Sequence, residues 1–128
     1  MKIAMLGSGS GGNASYVEEN GYGILIDAGF SCKKIEERLA SIGKAAENVK
    51  ALLITHEHTD HISGAGVLAR KYDIPIYISP ESLEACKQKL GKIAENQIHC
   101  IQKDFFLNEN IYVKAFDVMH DAVRTLGF

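Results

Sequence analysis

The stretch Thr55-His56-Glu57-His58-Thr59-Asp60-His61 holds three imidazoles and the Asp60 carboxylate, with Glu57 between them, within six consecutive positions, directly after the apolar run Ala51-Leu52-Leu53-Ile54. Imidazole nitrogen and carboxylate oxygen are the donor types that hold zinc, manganese or iron. The spacing also dictates a backbone. On a helix, residues two apart point to different faces, so His56 and His58 cannot share an ion there. On an extended segment leaving a strand they point the same way and can reach a single ion. A turn after His58 then swings Asp60 and His61 toward a second position beside the first. The pattern predicts a loop at a strand end with places for two ions, and metal-assisted hydrolysis as its chemistry. The alternative is a solvated polar loop, but three of the chain's five histidines crowd here beside an Asp.

The elements that must position this loop follow from the apolar periodicity. Lys2 to Leu6 reads as a strand ended by Gly7, and Ser15–Glu19 and Gly23–Asp27 as strands joined at Asn20-Gly21, a strong hairpin signal. Lys33 to Ile42 repeats apolar residues at Ile35, Leu39 and Ile42, with Gly43 placed as a helix stop. Val49 to Thr55 is the buried strand that delivers the histidines. Ile62–Lys71 reads as a helix, Pro75–Ile78 as a strand, and Pro80–Leu90, closed by Gly91, as a further helix. Ile98–Ile101 is a brief strand, and Phe105–Leu107 with Ile111–Met119 predicts a second hairpin. Helices interleave with strands while hairpins occupy both ends, so the class is α/β with a mixed sheet, in one domain spanning 1–128.

Composition narrows the function classes. The chain has 128 residues, enough to bury a core without staples, and is 46% apolar and 23% charged, as ordinary globular domains are. A formal net charge of -2 argues against broad electrostatic capture of nucleic acid. Lys87, Lys89 and Lys92 are the densest basic cluster and read as a solvated helix face. The three cysteines, Cys32, Cys86 and Cys100, lie far apart without a Cys-x-x-Cys pair, which suits reduced thiols in the cytoplasm. No apolar run reaches membrane-spanning length, and Met1–Leu6 is too short for a signal segment.

Gly7-Ser8-Gly9-Ser10-Gly11-Gly12 mimics a dinucleotide-binding fingerprint, with Asp27 twenty residues past Gly7. That fingerprint needs a helix opening at the glycines, and the Asn20-Gly21 turn leaves no room for one. The loop is better read as backbone packed close to something near the histidine run.

Together, the glycine loop ending in Asn13, the segment Ile24-Leu25-Ile26-Asp27-Ala28-Gly29, the histidine run and Val118-Met119-His120-Asp121-Ala122 resemble the metallo-β-lactamase superfamily. The Ser-Gly-Ser-x-Gly-Asn start and the His-Asp-Ala segment are most similar to its small cytosolic branch of exonucleases and phosphodiesterases. The resemblance implies that His56, His58 and His120 form a first metal site and that Asp60 and His61 serve a second. Asp60 would also orient the attacking water, while Asp27 would support the site by hydrogen bonding. Taken alone, His120 reads equally well as a structural histidine after a strand. His99 reads as structural, and Asp121 as a capping or supporting residue.

The implied activity is hydrolysis of a phosphodiester, with nucleic acid as substrate and two divalent ions (zinc or manganese, or iron) in the complete site. Hydrolysis of a thioester, lactone or β-lactam remains the alternative within the superfamily. The family's fold is a four-layer αββα sandwich of two similar halves. Its two remaining ligands, a bridging Asp and a final His, have no match here, so the resemblance implies an N-terminal half. Such a half holds one ion without turnover as its other reading. It is expected to self-associate through an uncovered sheet face, and no membrane is expected among its partners.

Overall fold

The computed structural model describes residues 1–119, 122 and 124–128. Strands β1 (Lys2–Gly7), β2 (Ala14–Glu19) and β3 (Tyr22–Ile26) form an antiparallel meander, and β4 (Val49–Leu53), β5 (Ile76–Ile78) and β6 (Ile98–Cys100) continue it in parallel, giving the order β1-β2-β3-β4-β5-β6. The β2–β3 turn sits where expected, with Asn20 at φ 50° and Gly21 at φ 78°, the paired positive angles a tight two-residue hairpin demands.

Helices connect the parallel strands. α1 (Cys32–Ser41) starts at Ser31, whose hydroxyl accepts from the Lys34 amide at 3.2 Å, and it buries Ile35 and Leu39. α4 (Pro80–Leu90) starts at Ser79, which caps the Ser82 amide at 3.1 Å. The expected helix from Ile62 to Lys71 is instead two pieces, α2 (Thr59–Ile62) and α3 (Ala65–Tyr72). Gly64 lies between them with its amide on the Ala28 carbonyl at 2.9 Å, and a Cβ there would meet the Phe30 carbonyl oxygen at 1.9 Å. That close packing fixes the break.

Side chains alternate between two cores. On one face Tyr16, Leu25, Leu52, Ile54, Ile76 and Ile78 pack with α1, α3 and α4. On the other, Ile24, Ala51 and Leu53 meet Val113 and the hairpin of β7 (Phe105–Asn108) and β8 (Ile111–Val113). The helix-free face is only partly covered, since Ile3 and Met5 of β1 are 72% and 68% exposed. The strand expected from Ile111 to Met119 is broken as well. β9 (Phe116–Val118) leaves the hairpin to pair with β10 (Thr125–Gly127), because the Ala115 amide turns to the Asp104 carboxylate at 2.9 Å. Among the described residues, no helix is long and apolar enough to cross a membrane.

Candidate metal centre

The site lies at the C-terminal ends of β3 and β4. Past Leu53 the chain keeps sheet pairing for one residue, Ile54 N–H to Tyr77 O at 2.9 Å, and then leaves it. The Thr55 carbonyl accepts from Leu126 of β10 at 2.9 Å. His58 is extended, with φ -63° and ψ 145°, and Asp60 and His61 follow in the first turn of α2. This is the strand, extended exit and turn that the spacing requires.

Asp27 organises the cluster. It is 4% exposed at the end of β3, in the left-handed region at φ 66°, with its amide on the Leu53 carbonyl at 2.8 Å. Its Oδ1 accepts from the Thr55 amide at 2.8 Å, and its Oδ2 accepts from Thr55 Oγ1 at 2.7 Å and lies 2.6 Å from His61 Nδ1. The Thr55 hydroxyl has one proton, and the carboxylate takes it as the stronger acceptor. Thr55 Oγ1 therefore accepts from His56 Nδ1, at 2.9 Å. One buried carboxylate thus assigns both rings the tautomer protonated at Nδ1, leaving Nε2 of each as the basic nitrogen. Burial alone pushes the His61 pKa down; the Asp27 hydrogen bond and the charges of Asp27 and Asp60 outweigh it, for a net rise.

The rings gather closely. His56 is 3% exposed, its ring centroid 3.9 Å from that of His61 and 4.8 Å from that of His58 in an edge-on arrangement. His61 Nε2 lies 3.7 Å from Asp60 Oδ2. Asn13, at the end of the glycine loop, holds Asp60: its side-chain amide donates to the Asp60 carbonyl and to Asp60 Oδ2, both at 3.1 Å, and its backbone amide donates to the same carbonyl at 2.7 Å. The Asn13 side chain also closes on Gly9 at 3.0 and 2.9 Å. The glycine loop therefore packs against the histidine run, as read from the sequence.

His56, His58, Asp60 and His61 are brought together, while His120 and Asp121 lie outside the described residues. Among the described residues, no three His, Cys, Asp or Glu side chains converge as a ready-made metal cage. The set nevertheless fits a divalent ion in donor type and adjacency, with imidazoles locked at Nδ1 and a carboxylate beside them. His99 stands apart, stacked on Tyr77 at 4.7 Å. Asn13 and Thr55 were not singled out from the sequence. Their signals were present, Asn13 closing the glycine loop and Thr55 opening the histidine run.

A family model described as the metallo-beta-lactamase superfamily matches residues 7–111, and the chain belongs to that superfamily. Exodeoxyribonuclease WalJ of Streptococcus pneumoniae is 43% identical over 128 residues, covering 95% of this chain and 46% of that protein. Exodeoxyribonuclease YycJ of Bacillus anthracis is 37% identical over 129 residues, covering 100% of this chain and 49% of that protein. The chain thus spans about half the length of these curated relatives. Among solved structures, Rm3 metallo-beta-lactamase superposes with a TM-score of 0.76 at 21% identity, over 97% of this chain and 51% of its own, which is a likeness of fold. Membership of that superfamily implies binding of divalent metal.

Proposed function

We propose that this chain carries the metal-binding part of a cytoplasmic, metal-dependent phosphodiesterase that hydrolyses nucleic acid, as the names of its exodeoxyribonuclease relatives suggest. The observation that carries the proposal is the gathering of His56, His58, Asp60 and His61 around the Asp27–Thr55 hydrogen bonds. His56, His58 and His120 hold a first ion; Asp60 and His61 serve a second. Zinc, manganese or iron bound there supplies Lewis acidity and water activated near neutral pH. Asp27 keeps His56 and His61 presenting Nε2, and Asn13 holds the Asp60 carboxylate in place beside them.

Calorimetric titration with zinc and manganese tests the reading, together with hydrolysis of bis-nitrophenyl phosphate, single-stranded DNA and a β-lactam. The expected result is metal binding abolished in His56→Ala/His58→Ala and turnover confined to phosphodiesters. Absence of metal binding by the parent chain overturns it. Metal binding without any turnover supports a metal-holding segment that acts only within the full length of its relatives.

The partly covered sheet face supports self-association of this chain, with a second copy over Ile3 and Met5. A sedimentation mass matching the monomer at micromolar concentration refutes it.

A further inference from the structure

An open cavity of about 510 Å³ adjoins the histidine cluster, lined by Ser10, Gly11, Gly29, Thr59, Asp60 and Ser63. Its volume is in the range of small-ligand sites. It lies on the glycine-loop side of Asp60, where Asn13 fastens the loop to that residue. At Gly11 in its wall a Cβ would meet nothing within 4 Å, so the backbone there is open to an incoming group. Three hydroxyl residues, Ser10, Thr59 and Ser63, line the same space, and among the described residues the side chains of Ser10 and Ser63 carry no protein hydrogen bond. The third, Thr59 Oγ1, accepts from Lys89 Nζ at 3.1 Å.

That contact divides the lysine cluster of α4. Lys87 turns to Glu84 at 2.9 Å, an exposed pair one helical turn apart. Lys89 instead leans across to the turn bearing Asp60 and brings a positive charge to the cavity rim. Hydroxyl donors beside an ammonium group recognise phosphate oxygen.

We propose that Ser10, Thr59, Ser63 and Lys89 form a phosphate-contacting subsite that seats a substrate phosphate next to the reacting bond. The inference rests on the phosphodiesterase reading, under which a bound ion offsets the Asp60 charge in the cavity wall. The phosphate is either the terminal one of a strand or the backbone phosphate neighbouring the scissile bond. Both present the same oxygens to the same donors.

The test uses the full chain with zinc and a fluorescein-labelled single-stranded DNA 12-mer, made with a 5′-phosphate or a 5′-hydroxyl, and follows binding by anisotropy over a range of salt. Lys89→Gln is expected to weaken binding about fivefold or more and, by losing one phosphate contact, to lower the slope of log affinity against log salt by about 0.7. Ser63→Ala is expected to weaken binding about threefold, and Lys89→Arg to restore it. If the 5′-phosphate oligonucleotide alone responds to Lys89→Gln, the terminal phosphate is the occupant. If both respond equally, it is a backbone phosphate. Affinity and salt slope unchanged in Lys89→Gln overturn the subsite, as does absence of DNA binding by the parent chain. Zinc titration of the same samples separates the two failures. Zinc bound with no Lys89 effect removes only the subsite, whereas no zinc bound removes the phosphodiesterase reading as well.

Discussion

Asp27 Oδ2 sits 2.6 Å from His61 Nδ1 and, through Thr55 Oγ1, also governs His56 Nδ1. One carboxylate at the end of β3 therefore sets the donor nitrogen of two imidazoles carried by a different strand exit. Asp27→Asn keeps the size and tolerates the left-handed backbone, but loses the charge and half the accepting capacity. Zinc affinity in this variant is expected to fall about 10- to 100-fold, the usual cost of removing a carboxylate partner behind a ligating histidine. Asp27→Ala also strands the buried Thr55 amide and is expected to destabilise the fold by about 3 kcal/mol in urea titrations. Unchanged zinc affinity in Asp27→Asn would refute the tautomer assignment.

The glycine positions around Asp60 make a sharp comparison. A Cβ on Gly29 would lie 1.8 Å from the Asp60 carbonyl oxygen and 2.6 Å from the Asn13 amide nitrogen, whereas one on Gly11 meets nothing within 4 Å. Gly29→Ala must pry apart the two loops that Asn13 joins. It is expected to cost about 3 kcal/mol, while Gly11→Ala stays within about 0.5 kcal/mol of the parent. Urea midpoints of both variants measure the difference, and equal midpoints would contradict the packing described for this junction.

Much of this architecture was legible because local rules and global fold agree. Asn20-Gly21 demanded its turn, Gly43 and Gly91 marked helix ends where the backbone turns left-handed, and the apolar run from Val49 read as the buried strand that delivers the histidines. The histidine spacing foretold an extended exit followed by a turn. What stayed hidden were decisions made at a distance. The interruption of the helix at Gly64 depends on the Phe30 carbonyl, and the break before Phe116 on the Asp104 carboxylate. The role of Asn13 depends on Asp60, 47 positions away. Periodicity carries no trace of such partners. His120, a ligand implied by resemblance, falls outside the described residues.

The thiols should report the same burial. Burial pushes the Cys86 pKa up to about 11, aided by the nearby Glu57 charge, and burial with the Glu36 charge raises that of Cys32. Cys100 is exposed. Thiolate is the reactive form, so iodoacetamide near neutral pH is expected to label Cys100 within minutes and the other two only after unfolding. Peptide mapping of the alkylated chain reads this out, and rapid native labelling of Cys86 would contradict its place on the buried face of α4.

Stability should decline at both ends of the pH scale through one cluster on β2. The Glu18 carboxyl is held below the usual carboxylate range by its hydrogen bond to Lys44 and then by that from Tyr16. A depressed carboxyl contributes stability that is complete above its unfolded pKa of about 4.3 and disappears as pH falls through the lower folded value. Tyr16 shifts the other way, pushed up to about 12 by burial and by its hydrogen bond to Glu18. A raised phenol contributes stability that is complete below its unfolded pKa of about 10 and is lost as pH climbs toward the folded value. Urea midpoints across the pH range are therefore expected to fall on both limbs. Glu18→Gln should flatten the acid limb, because no carboxylate remains to protonate. Tyr16→Phe should flatten the alkaline limb while leaving the Lys44 contribution on the acid side. An acid limb identical in the parent and Glu18→Gln would place the acid sensitivity in other carboxylates, with Glu36 next in line because Lys71 and Tyr72 hold it low in the same way.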